Sequence, residues 1–145
     1  MAASGTAPPA GATLSPMSAY THKNLADIED AAAKFGFAET HESRFANEDL
    51  ETEQTGLSVH RLKPGTRQPF GHRHDEVEEV YVVISGSGRV KLDEDVVDLK
   101  RLDAIRVSPG VARAFEAGAD GLELLAFSPR RSDDRGEILQ DWWTD

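Results

Sequence analysis

No cysteine occurs anywhere in the 145 residues. That excludes disulfides, thiolate metal ligands and thiol nucleophiles, and it suits a reducing cytoplasm, the expected location. Long apolar runs are lacking as well. No stretch approaches the roughly 20 residues that a spanning helix needs, so no membrane partner is expected. Positive charge is in deficit: 16 Lys and Arg face 26 Asp and Glu, a net charge of −10. Such a surface repels phosphate backbones and argues against nucleic acid as a partner. Residues 1–21 carry no charged side chain and are rich in Ala, Gly, Pro, Ser and Thr. A secretory signal needs a basic start and an unbroken apolar core, and Pro8, Pro9 and Pro16 interrupt this one. The segment reads as a disordered extension. There is no Ser-His-Asp order, no phosphate-cradling glycine loop and no internal repeat.

What is present is a single domain by length. Residues 24–35 predict a helix, capped by Asn24, with Leu25, Ile28, Ala32 and Phe35 near one face and Gly36 just past its end. One or two weak strands are expected around Ala38 to Phe45. Together they make residues 22–50 an N-terminal helix with lead-in strands. Residues 51–130 then carry short strands punctuated by Gly and Pro. Leu57 to Leu62 alternates, Val77 to Ser85 is rich in Val, Ile and Tyr, and Gly86-Ser87-Gly88 reads as a tight turn before Arg89 to Leu92. Asp93-Glu94-Asp95 is a hairpin tip, Val96 to Leu99 returns, and Ala104–Val107, Val111–Phe115 and Leu122–Phe127 complete the set. That pattern predicts an all-β antiparallel barrel or jelly roll. The tail, 131–145, is charged and holds Trp142-Trp143, a pair expected to dock on the barrel or on a partner chain.

The densest chemistry is the run from Gly71 to Gly86. His72 and His74 are two apart and so share one strand face, and Glu79 opens the apolar strand that follows. Two neutral imidazoles with a carboxylate make a divalent-metal donor set. His-x-His, a four-residue spacer, Glu79, six residues and Gly86 resemble the first motif of the cupin superfamily, with Gly65 as its leading glycine. Asp103, Pro109 and Gly110 resemble the second motif. Leu102 stands there where glycine is usual, and Arg113 stands where the family has its fourth metal ligand, a histidine. The resemblance spans about residues 57–128 and implies a cupin barrel, commonly a homodimer.

Within that barrel His72, His74 and Glu79 are the candidate metal ligands, for Fe, Mn, Ni, Zn or Cu, or for no metal at all. Arg113 has no lone pair to offer a metal. It can pair with Glu79 in a metal-free core, bind an anionic ligand through its fork, or point outward. Tyr81 shares the face of Glu79; both are candidate catalytic groups, and Tyr81 is a candidate ligand contact. His60 can approach the cavity as a further ligand contact, whereas His22 and His41 are expected at the surface. Arg61, Arg67, Arg73, Arg89 and Arg106 can make the cavity mouth basic or pair with surface carboxylates. The expected function is binding of a small anionic or polar metabolite in the barrel. The alternatives are a metal-dependent oxygenase or isomerase and a non-catalytic sensory or interaction domain.

Overall fold

A computed structural model describes residues 19–145; most of the expected 1–21 extension lies outside them. Eight antiparallel strands form one curled sheet: β1 (His41–Phe45), β2 (Thr55–Leu62), β3 (Gly71–His74), β4 (Glu79–Leu92), β5 (Asp95–Leu99), β6 (Ala104–Val107), β7 (Arg113–Pro129) and β8 (Gly136–Leu139). The all-β barrel expectation holds.

Two long strands organise everything. β4 and β7 pair from Val80↔Phe127 to Leu92↔Arg113. The Leu122–Pro129 half of β7 takes β2 and then β1 on its other edge, while its start takes β3 and then β8. β6 pairs with the first half of β4 and β5 with the second. Two layers therefore face each other, and β4 and β7 pass from one to the other through register shifts at Val83/Ser85 and Gly86/Gly88. Gly86-Ser87-Gly88 is thus not a turn. A Cβ at Gly86 would sit 2.0 Å from the Gly121 carbonyl oxygen, so glycine there lets the two strands cross closely while the chain continues. The two strands expected over 111–127 are likewise one. The bulge also ends the alternation that begins at Glu79: Tyr81 and Val83 are buried, but Ser85 is exposed.

The core is Leu62, Tyr81, Val83, Val90, Phe115, Leu122 and Leu124, between the layers. The helix expected over 24–35 is divided. Asn24 caps a 3₁₀ turn at Leu25–Asp27, and Asp30 caps a separate short helix α1 (Ala31–Lys34). Asp30 Oδ1 accepts from both Ala32 N and Ser43 N, which draws the backbone out of helical continuation. Gly36, at φ +86°, ends α1 with Gly36 N–H donating to Ala33 O and Phe37 N–H to Ala32 O. A second short helix, α2 (Asn47–Leu50), joins β1 to β2. Among the described residues no helix is long and apolar enough to cross a membrane.

Candidate metal centre and cavity

β3 lies in one layer and the start of β4 in the other, so the two imidazoles meet the carboxylate across the space between them. One donor atom each from His72, His74 and Glu79 falls within 4.8 Å of the others. Glu79 Oε1 is 3.0 Å from His74 Nε2 and 3.7 Å from His72 Nε2. With metal–ligand bonds of about 2.1 Å, neighbouring ligands stand roughly 3–3.5 Å apart. The three side chains therefore fit one divalent ion and leave positions open.

Glu79 is also where the other polar groups converge. The Tyr81 hydroxyl donates to Oε1 at 2.6 Å. Burial pushes the Glu79 carboxyl up, yet contacts from His72, His74 and Tyr81 outweigh it and hold the group far below the usual carboxylate range. The bond to Glu79 raises His74 above an ordinary histidine. Burial and the Glu79 charge push the Tyr81 phenol well up, so its proton stays on and is directed at Glu79.

Asp134, in the segment before β8, completes the arrangement. Its Oδ2 accepts from His74 Nδ1 at 2.8 Å, while Oδ1 accepts from the backbone of Glu76 and Val77. A carboxylate can only accept, so Nδ1 carries a proton toward Asp134; without an ion Nε2 is protonated as well and donates to Glu79, and loss of that second proton would leave the Nε2 lone pair for a metal. Nothing local in Asp133-Asp134 announces this role, because it depends on the β3–β8 pairing.

Arg113 is fully buried next to His72 in the ladder, with Nη1 3.8 Å from Glu79 Oε1. Its Nη2 donates to the Ser108 carbonyl at 3.5 Å, and Nε and Nη1 have no hydrogen-bond partner. Arg113 neither points outward nor lines the cavity. It lies behind the carboxylate, because alternation along β7 turns it inward with Phe115. A cation there opposes a neighbouring dication and places the burden of ligation on the three remaining groups.

The cavity in front of the cluster has a volume of about 460 Å³. His72, His74, Glu79 and Tyr81 line it together with Phe70, Phe115 and Leu124 and with Arg73, Glu137 and Ile138. Ser43, Ser58, His41 and His60 add a second polar group from β1 and β2; through β7, His60 is level with Val83, four residues along β4 from Glu79. His60 approaches the cavity, but its nitrogens are engaged by the two serines. His41 is buried, contrary to the surface expectation: Thr40 holds its Nδ1 and Phe37 stacks on it at 5.6 Å. His22 is exposed. The rim is not basic. Arg61, Arg67, Arg73, Arg89 and Arg106 each meet a carboxylate: Glu123, Glu116, Glu137, Glu116 and Glu78 respectively.

The tail packs on the same region. The Trp142 ring lies against Gly71 and beneath Lys91, and Trp143 Nε1 donates to Gln68 O.

This chain belongs to the cupin superfamily: the cupin domain family matches residues 58–127. Among solved structures it is similar to a cupin protein from Bacteroides fragilis, with 22% identity, a TM-score of 0.64 and coverage of 89% of this chain and 99% of that one. It is also similar to a sugar phosphate isomerase from Silicibacter pomeroyi, at 18% identity and TM-score 0.65, covering 81% and 80%. A salicylate 1,2-dioxygenase from Pseudaminobacter salicylatoxidans matches at 21% identity and TM-score 0.61, over 74% of this chain but 34% of that one. Another structure of that dioxygenase holds gentisate. These identities establish the fold and leave the chemistry to the site. No curated protein matches the sequence.

Proposed function

We propose that the barrel cavity binds a small molecule beside a divalent metal held by His72, His74 and Glu79. The convergence of those three donors in a largely apolar cavity carries this reading. A bound ion would act as a Lewis acid toward an oxygen of the ligand. The chain's own groups prepare the place for it. Asp134 holds His74 by Nδ1, Tyr81 orients the Glu79 carboxylate, and Phe115 and Phe70 add apolar wall to the cavity. An anionic or strongly polar end of the ligand belongs beside that ion. A metal-dependent enzyme and a passive binding module both fit this site, and the enzyme reading is the one that the names of two structural neighbours, a sugar phosphate isomerase and a dioxygenase, suggest for testing.

Loading the metal-stripped protein separately with Fe(II), Mn, Ni and Zn, followed by elemental analysis, tests this. One metal per chain is expected, and His72→Ala and Glu79→Gln should each lose it. Wild type that retains none of the four ions would end the reading.

A further inference from the structure

The cavity has a second polar group, on β1 and β2, that a metal does not use. Alternation along β2 places Ser58 and His60 on the inner face, where a core strand would ordinarily carry apolar side chains. Ser43 is the register partner of His60 on β1. Ser43 Oγ lies 2.8 Å from His60 Nδ1, and Ser58 Oγ lies 2.8 Å from His60 Nε2. Both serines are 7% exposed.

The donor count in this group does not close. Burial lowers the His60 pKa to about 4, so the ring is neutral near pH 7, with one N–H and one lone pair. One serine therefore accepts from the ring, and its own O–H has no acceptor among the described residues. The other donates to the ring and keeps its lone pairs. No lysine or arginine joins these groups, and the carboxylates that reach them, Glu79 toward His60 and Asp30 toward His41, add negative charge. Burial also favours the neutral form of His41 beside them. A charged ligand group would lose its hydration here without a counter-charge.

We infer that Ser43, His60 and Ser58 form a recognition subsite for an uncharged hydroxyl or carbonyl group on a ligand whose other end sits at the metal. This rests on the metal-and-cavity reading above. The ligand class is thus a small molecule with two unlike ends: an oxygen donor for the ion and a neutral hydrogen-bonding group for the serines. Phe70 and Phe115 line the same cavity.

Three hydroxamates, general binders of divalent ions, test it by calorimetry on the nickel-loaded protein. Benzohydroxamate has an apolar far end; the 4-hydroxymethyl and 4-carboxy derivatives carry a neutral and an anionic one. The hydroxymethyl compound should bind about tenfold more tightly than benzohydroxamate, as one to two buried hydrogen bonds allow. The carboxylate should bind more weakly than benzohydroxamate. Ser43→Ala and Ser58→Ala should each shrink the tenfold preference, taken against benzohydroxamate on the same variant, while metal content stays at one nickel per chain, which also shows that the variants fold. Equal affinities, a preference for the carboxylate, or a hydroxymethyl preference that survives both variants would overturn the subsite alone. Failure of benzohydroxamate to bind protein holding one nickel per chain would overturn the cavity reading beneath it.

Discussion

Asp134 decides which nitrogen of His74 is free. Its carboxylate is held by two backbone N–H groups, so it is itself fixed in place. Asp134→Asn keeps the shape but can present an amide donor where an acceptor is needed. Metal affinity should fall roughly 10–100-fold, the usual consequence of losing such an outer partner. Competition with a chromophoric chelator measures it, and an unchanged affinity would assign Asp134 to loop structure alone. The metal donors were legible at this scale because His-x-His and Glu79 are neighbours in sequence. Asp134 was not, since 60 residues separate it from His74. Arg113 was legible as an anomaly, but its place behind Glu79 follows from the β7 register.

Strand content was largely readable, whereas strand continuity was not. Gly86-Ser87-Gly88 has turn composition, yet tertiary pairing with β7 keeps β4 extended through it. β8 was missed because Gly136 to Leu139 offers no alternating pattern of its own; three of its four residues are exposed and β3 supplies the pairing. The turn into β6 shows the converse, a motif position keeping its geometry after losing its residue. Leu102 stands where glycine is usual and adopts φ +73°, a conformation that costs a non-glycine residue about 1–2 kcal/mol. Its side chain is 66% exposed, so little packing offsets that cost. Leu102→Gly relieves the strain and adds chain entropy to the unfolded state, leaving a net stabilisation of about 0.5–1 kcal/mol. Urea denaturation reads this as a higher midpoint; a lower one would show that Leu102 contributes packing that outweighs the strain.

For the whole molecule, His60 and His41 pull stability one way with pH and His74 the other. Between pH 6.5 and about 4 the unfolded chain takes up a proton at His60 that the folded cavity refuses. The unfolded state then binds more protons, so stability falls as pH falls, by up to roughly 3 kcal/mol over the full window. His41, also lowered by burial, adds to the same limb. His74, raised by Glu79, acts oppositely: its contribution is complete below the ordinary histidine pKa and is lost as pH rises through its own. Metal-free protein should therefore be most stable near pH 6.5, and His60→Gln should flatten the side between pH 6.5 and 5. Urea titrations at pH 5, 6.5 and 8 measure this, and a flat acid side in wild type would contradict a buried neutral imidazole. The fold class was readable from composition and motif spacing, but burial of His41 and the facing of the two layers were not, because both arise from curling of the sheet.

The two polar groups of the cavity belong to different parts of the chain. His72, His74 and Glu79 come from β3 and β4, whereas Ser43, Ser58 and His60 come from β1 and β2. Inheritance can act on them separately. A lineage can drift in its first two strands and change what it accepts while its metal ligands stand untouched. For the engineer, a library confined to positions 43, 58 and 60 explores new ligands without touching His72, His74 or Glu79.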